Sequence, residues 1–191
     1  AGEHLIPLPL DVTDELGVRA AVDNLERTHG RIDLAFLSAG THRPVLAATL
    51  ATADFRALFA LNVMGVVNCL QSVLPAMLAR RSGQIAIVAS LTGHVGLPTA
   101  AAYGATKAAL INMAEALRPE LAEAGVKLQI VNPGFIQTPL TDRNRFHMPG
   151  LASAEDAADA FVRGLGRRRF EITYPRAIAI AIKMLRLLPY P

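Results

Sequence analysis

Tyr103 and Lys107 stand four residues apart in Ala102-Tyr103-Gly104-Ala105-Thr106-Lys107-Ala108, at the start of a long helical pattern. On an α-helix, positions i and i+4 share a face, so phenol and ammonium project into the same space. A cation that close favours the phenolate, drawing a tyrosine down from its free pKa of roughly 10 and making it a usable general acid/base. The same spacing also arises where a half-buried tyrosine merely lies beside a surface lysine. Ser90 lies thirteen residues before Tyr103, at the end of the apolar run Gln84-Ile85-Ala86-Ile87-Val88-Ala89. That run reads as a buried parallel strand whose carboxyl end delivers the serine to the crevice where open α/β sheets bind ligands.

Other elements must bring these groups together. His4 to Leu10 alternates and carries two prolines, which suits an edge strand. Thr13 is expected to cap a helix over 14–29, with Leu16, Ala20, Val22 and Leu25 as its apolar face and Gly30 as its stop. Ile32 to Leu37 reads as a short buried strand running into Ser38-Ala39-Gly40, where small residues let a flat ligand approach the backbone. From Thr52 to Arg80 the apolar positions fall at helical spacing, and Asn62 lies inside that stripe. A buried amide is costly without hydrogen bonds, so Asn62 needs a partner or an ordered water, and a core asparagine that locks helix packing is the plain alternative.

Leu91 to Pro98 is a glycine-rich loop able to shape one wall of a substrate site. His94 is read as a loop or wall residue, because Tyr103 already fills the acid/base role. The Tyr103 helix continues through Leu110, Met113, Ala114, Leu117 and Leu121 to Gly125, with Pro119 expected to bend it. Val126 to Val131 is the next strand, followed by the stiff turn Pro133-Gly134. Residues 139–150 have no period and are expected to form a mobile substrate lid. Ser153 caps a helix ending near Gly166, Arg169 to Thr173 reads as the last strand, and 176–188 as a terminal helix. Arg176, Lys183 and Arg186 gather on one face of that helix, with Ile178, Ile182 and Leu185 off it. Core packing, covering the substrate entrance and docking on a membrane surface all fit that pattern.

The chain has 191 residues, 52% hydrophobic and 18% charged, which fits one domain with a sizeable core. A single cysteine, Cys69, sits in a helical apolar pattern and reads as an inert buried thiol that permits a reducing compartment. The net charge of +3 is small, and its one dense run, Arg167-Arg168-Arg169, reads as a solvated turn, so no nucleic-acid partner is expected. No metal-ligand spacing is present. No signal peptide is visible and no apolar run approaches the ~18 residues of a membrane span, so the expected location is cytoplasmic, with peripheral membrane contact left open.

Ser90, Tyr103 and Lys107, with Leu61-Asn62-Val63-Met64-Gly65, Leu37-Ser38-Ala39-Gly40, Asp11-Val12-Thr13-Asp14 and Asn132-Pro133-Gly134-Phe135-Ile136-Gln137-Thr138, resemble the classical short-chain dehydrogenases/reductases from residue 5 to about 140. The resemblance implies an α/β, Rossmann-like, doubly wound parallel sheet between helical layers. It also implies an NAD or NADP cofactor, an alcohol or ketone substrate, and a homodimer or homotetramer. In the family Ser90, Tyr103, Lys107 and Asn62 would be catalytic, Asn62 holding a water toward Lys107. Asp11 and Val12 would meet the adenine, while Ser38, Ala39 and Gly40 admit the cofactor. Tyr103 and Lys107 would also touch the cofactor, as would Pro133, Gly134, Ile136 and Thr138 at its nicotinamide end. Leu37-Ser38 replaces the family's usual asparagine pair, which departs from the pattern.

The family's opening strand, glycine-rich turn, helix and second strand have no counterpart in this chain, so NAD and NADP are not distinguishable from it. Residues 1–191 therefore read as one domain incomplete at its amino end, lacking the first two strands, with roughly 40 to 60 further residues expected ahead of it in the natural protein. A non-catalytic binding protein on the same fold, and a membrane-associated lipid or steroid reductase, are the alternatives to an oxidoreductase.

Overall fold

Apolar residues run consecutively along the central strands, as in Ile85-Ala86-Ile87-Val88, so the sheet must be covered on both faces. The computed structural model describes residues 5–139, 141–143 and 148–187. Strands β1 (Leu34–Leu37), β2 (Gly83–Val88), β3 (Val126–Pro133) and β4 (Glu171–Tyr174) pair in parallel in the spatial order β1-β2-β3-β4. Ile85, Ile87, Leu128 and Ile130 point to one face, where they pack with Val22 of α1 (Glu15–His29), Val66, Leu70 and Met77 of α3 (Gly65–Ala79), and Leu110 and Ala114 of α4 (Ala101–Glu123). Ala86, Val131 and Ile172 point to the other, against Phe161 and Leu165 of α5 (Ala154–Leu165). Each fully buried isoleucine contributes roughly 2 kcal/mol of transfer free energy. The three-layer parallel architecture is the expected one.

Polar positions in the sheet serve the helix ends. Gln129 is fully buried and donates its amide hydrogens to the Gly164 and Arg169 carbonyls, at 3.2 and 2.7 Å, tying β3 to the last turn of α5 and to the turn that follows it. Ser153 caps α5 as expected, its hydroxyl accepting from the Asp156 N–H at 3.0 Å. At α1 the cap is Asp14 rather than Thr13: the Asp14 carboxylate accepts from the Gly17 N–H, while the Thr13 hydroxyl and N–H both turn back to Asp11. Asp14 stands immediately before the first helical residue, where a side-chain oxygen reaches the open N–H groups.

The strand expected over 4–10 does not form. His4 lies outside the described residues, and among the described residues 5–10 join no ladder, leaving Leu5, Ile6, Leu8 and Leu10 exposed. β1 begins at Leu34 rather than Ile32 and is an edge strand rather than a buried one, with Leu34 and Phe36 41% and 40% exposed. The reason is common to both. A strand is buried on a neighbour's ladder, and among the described residues β1 has a ladder on its β2 side alone.

The stripe over 52–80 is one continuous helical segment in three pieces, α2 (Thr52–Phe59), a π-helical turn (Ala60–Met64) and α3. The segment is 28 residues long and holds an 18-residue stretch of mean hydropathy 1.7, so by length and composition it could cross a bilayer, which corrects the expectation that no such run exists. Its buried residues Leu58, Val66, Leu70, Val73 and Met77 belong to the core of this domain. α4 begins at Ala101 and runs through Pro119 to Glu123, before Gly125 takes a φ of +78°. The terminal helix α6 (Arg176–Leu185) is shorter than the expected 176–188, and residue 188 lies outside the described residues. Ala179 is its buried residue, and Ile180, Met184 and Leu185 face out. Of the lid expected over 139–150, Leu140 and 144–147 lie outside the described residues, and Thr141–Arg143 forms a short 3₁₀ turn.

Candidate active site

β2 ends at Val88, and two residues later the chain enters a short 3₁₀ turn, Leu91–Gly93, for which Ser90 is the cap; its hydroxyl accepts from the Thr92 N–H at 3.2 Å. α4 crosses beside that turn. Gly93 makes the crossing possible, since a Cβ there would lie 2.7 Å from Ile111 Cδ1 and 2.8 Å from the Lys107 carbonyl carbon. The close approach sets Tyr103 against Ser90, and a hydrogen bond joins the two hydroxyls.

Lys107 is 4% exposed, its Nζ 5.6 Å from the Tyr103 ring centroid and donating to the Val88 carbonyl at 2.9 Å. Burial holds its pKa down at about 8. Burial likewise raises the Tyr103 phenol above its ordinary value, and the Ser90 hydrogen bond offsets that in part. This reverses the expected depression of the phenol. The ammonium is spent on a backbone carbonyl, so desolvation of the phenolate outweighs its attraction. A phenol held protonated is an acid ready to give a proton to a substrate oxygen.

Asn62 is fully buried in the π-helical turn, a local widening that recurs at functional sites. Its Oδ1 accepts from the Thr41 N–H at 2.8 Å, and its Nδ2 donates to the Thr41 carbonyl at 2.9 Å and to Thr106 Oγ1 at 3.1 Å. Asn62 therefore has its partners in the protein itself. It braces the segment after β1, where Ser38, Ala39 and Gly40 sit at the strand's carboxyl end. A Cβ on Gly40 would lie 3.2 Å from Asn62 Oδ1 and 3.4 Å from Lys107 Nζ, so the backbone there passes directly over both groups.

The remaining expected cofactor contacts fall on either side of this centre. Asp11 accepts from Thr13 in an exposed turn, which lowers its carboxyl pKa, and the Val12 carbonyl accepts from Asn68 Nδ2 at 2.9 Å. Pro133 ends β3, and the Gly134 N–H donates to the Tyr174 carbonyl at 2.9 Å. Ile136 bridges to Ala152, and Thr138 forms a turn with Thr141. Cys69 is partly buried, its thiol pushed up by burial, in keeping with an unreactive side chain.

Above Ser90 and Tyr103 opens a pocket of about 100 Å³ walled by Leu91, Leu97, Pro98, Phe135, Ile178 and Ile182. The loop after Ser90 thus supplies a wall, as expected, and α6 helps to close it. His94 does not line this pocket. Its Nε2 lies 3.3 Å from Glu171 Oε1 and 3.2 Å from Asn132 Nδ2, in a cluster where Asn132 also donates to Glu171 at 2.7 Å and Lys183 pairs with the other carboxylate oxygen. The cluster ties the loop after Ser90, the end of β3, β4 and α6 together, which fixes two walls of the pocket.

Burial raises the Glu171 carboxyl, but hydrogen bonds from His94, Lys183 and Asn132, with the Lys183 charge, together hold it at about 2. A carboxylate whose folded pKa lies below its unfolded value of 4.5 contributes stability that is complete above pH 4.5 and is lost as pH falls toward 2. The side chain is 24% exposed, so solvent screening leaves on the order of 2 kcal/mol. Glu171→Gln is therefore expected to lose about that much at pH 7 and to show a flatter decline between pH 4.5 and 2. Urea denaturation across that range checks it, and parallel curves for the two proteins would contradict it.

Sequence reasoning did not single out His42. It lines the same pocket, with its ring centroid 4.9 Å from that of Tyr103 in an edge-on contact. No periodicity marks a loop histidine, and its neighbours in the pocket come from residues 90–100 and beyond.

A family description of short chain dehydrogenases matches residues 1–148. An uncharacterized oxidoreductase of Myxococcus xanthus is 35% identical over 191 residues, covering 100% of this chain and 76% of that protein. A 3-oxoacyl-[acyl-carrier-protein] reductase of Thermotoga maritima is 36% identical over 137 residues, 72% of this chain and 56% of that protein. Among solved structures, a short chain dehydrogenase from Burkholderia cenocepacia in complex with NADP matches with a TM-score of 0.83 at 31% identity, covering 96% of this chain and 76% of that one. A short-chain dehydrogenase from Streptomyces avermitilis also gives 0.83, at 26% identity, covering 94% of this chain and 73% of that one.

Proposed function

Because this chain belongs to the short-chain dehydrogenase family, we propose that Ser90, Tyr103 and Lys107 serve an oxidoreductase that interconverts a ketone and a secondary alcohol with NAD or NADP. The observation that carries the reading is the hydrogen-bonded Ser90–Tyr103 pair, with Lys107 buried behind it, at the floor of an apolar pocket. The bound cofactor supplies the hydride. The chain's residues supply the rest. Tyr103 gives its proton to the carbonyl oxygen of the substrate as that oxygen gains charge, and Ser90 donates a hydrogen bond to the same oxygen.

Lys107 and the backbone of Ser38 to Gly40 would hold the cofactor beside the pair. The fit is supported by Gly40, whose backbone runs so close to Asn62 and Lys107 that a side chain would fill the space a flat ring needs. Asn62 keeps that backbone in place through Thr41. The apolar walls favour a lipophilic substrate of modest size. Titration with NADPH and NADH, following nicotinamide fluorescence, is expected to show saturable binding of at least one, with ketone-dependent oxidation of that cofactor. Absence of binding by both would overturn the reading in favour of a non-catalytic protein on this fold.

A further inference from the structure

Charge is unevenly spread along this chain. Residues 163–191 hold seven lysines and arginines against one acidic residue, Glu171, whereas residues 1–162 hold twelve against fifteen. Glu171 is itself committed to Lys183. An excess of one sign on one region draws that region toward a partner of the other sign.

The fold gathers much of this charge in one place. Beside β4 lies a cleft of about 420 Å³ lined by four arginines: Arg163 of α5, Arg167 and Arg169 of the turn that follows, and Arg176 at the start of α6. Arg163 approaches Asp159 at 3.8 Å, and among the described residues the other three pair with no carboxylate. Guanidinium groups that converge without counter-charges suit phosphate oxygens.

Arg176 joins this cleft to α6, whose outward arc is apolar from end to end. Ala177, Ile180, Ala181, Met184 and Leu185 are exposed, Ile180 at 60% and Met184 at 63%, and Leu187 just past the helix is 82% exposed. The packing of α6 is supplied by its other side, where Ala179 is buried and Ile178 and Ile182 wall the pocket above Tyr103. Folded monomers rarely leave so contiguous an apolar surface in water. An apolar helical face with cations at its margins, here Arg176 and Arg186, is the pattern of an element lying in a membrane interface.

A second copy of the chain suits this face less well. A twofold axis through α6 sets the two helices antiparallel and brings Arg176 of each toward Arg186 of the other, and residues 175–191 hold no acidic side chain to offset them. A free polyanion would satisfy the arginines and leave Ile180, Met184 and Leu187 in water. An anionic bilayer serves both, its phosphates meeting the guanidinium groups and its acyl chains the apolar arc.

We propose that α6 and the adjoining arginine cleft form a docking surface for an anionic membrane, with Ile180, Met184 and Leu187 entering the headgroup boundary and Arg167, Arg169 and Arg176 contacting lipid phosphates. The docked helix stands between the lipid and the pocket above Tyr103. The docking is independent of the oxidoreductase reading and is tested without turnover.

The test is flotation of the full chain with extruded vesicles of equimolar phosphatidylglycerol and phosphatidylcholine, and with vesicles of phosphatidylcholine alone. The wild type is expected to float with the first and to stay in solution with the second. Arg167→Gln with Arg169→Gln is expected to weaken anionic-vesicle binding about 25-fold, since each basic side chain near the surface counts for roughly fivefold. Ile180→Ser with Met184→Ser is expected to weaken it at least about tenfold. Both residues are exposed, so the fold is retained, which circular dichroism checks. The chain has no tryptophan, so Met184→Trp adds a lone reporter whose emission is expected to shift to the blue on anionic vesicles and to be quenched by brominated acyl chains.

Absence of flotation with either vesicle, or equal binding to both, overturns the proposal. So does anionic-vesicle binding that Ile180→Ser with Met184→Ser keeps in full, which would leave a bare polyanion site in the cleft. A wild-type dimer in light scattering that the same two substitutions dissociate would make a second copy the occupant instead.

Discussion

Tyr103→Phe is expected to lower kcat for ketone reduction by about 10³-fold or more while the protein still folds and still binds its cofactor. A positioned general acid is worth roughly 10² to 10⁴ in rate, and among the described residues Tyr103 is the donor paired with Ser90 at the pocket floor. The Ser90 hydroxyl remains, so part of the electrostatic stabilisation of the carbonyl oxygen survives. The fold has little reason to fail. The phenyl ring fills the same volume and keeps its edge-on contact with His42, and what disappears is one hydrogen bond to Ser90, worth about 1 kcal/mol. Circular dichroism and thermal melting check the fold, cofactor fluorescence checks binding, and single-turnover kinetics checks the chemistry. A variant within tenfold of the wild type would remove Tyr103 from the proton-transfer role.

Lys107→Met is expected to do two opposite things: to destroy activity and to make the protein more stable. The Lys107 pKa of about 8, against 10.5 for the free side chain, means that holding the ammonium charged at pH 7 costs the folded state on the order of 3 kcal/mol. Methionine keeps the volume and removes the charge, at the loss of the hydrogen bond to the Val88 carbonyl, about 1 kcal/mol. The net expectation is a gain of about 2 kcal/mol at pH 7.

The pH dependence follows from the sign of the shift. Between pH 8 and 10.5 the unfolded chain binds the Lys107 proton and the folded chain has released it, so wild-type stability rises with pH in that window. The advantage of Lys107→Met is therefore complete below pH 8 and shrinks as pH climbs toward 10.5. Denaturant titrations of both proteins at pH 7 and pH 10 measure it, and a variant less stable than the wild type at pH 7 would show that the ammonium is stabilising where it lies. A site that keeps so costly a charge in place does so for its chemistry rather than for its fold.

The acid/base pair was legible in the sequence because its geometry is local. Four residues of helix place Tyr103 and Lys107 on one face whatever the helix packs against, and an apolar run ending in Ser90 is a strand with a polar tip. The strands after residue 80 and the cap at Ser153 were legible for the same reason. The edge character of β1 was not, since burial of a strand depends on a partner that lies elsewhere in the chain. Nor was the electrostatics. At the level of sequence Lys107 is a cation four residues from a phenol, and its proximity predicts a lowered Tyr103 pKa. In the fold Lys107 is buried, Tyr103 is largely desolvated and the ammonium faces the Val88 carbonyl, so the shift runs the other way.

Asn62 and His94 show the same division. A polar residue inside an apolar helical stripe announces that it is buried and partnered, but the partners, Thr41 and Thr106, lie 21 and 44 residues away. His94 lies in the very loop expected to wall the substrate pocket, yet it turns to Glu171, 77 residues on. The helices, most of the strands, the family and the groups able to move a proton could be read from the residues in order, because periodicity and short spacings act through a few consecutive bonds. Which polar groups are satisfied, which way each pKa moves and that the His42 ring stands beside Tyr103 emerge with the packed fold. Those properties depend on desolvation and on contacts between distant segments, and no run of neighbouring residues encodes either one.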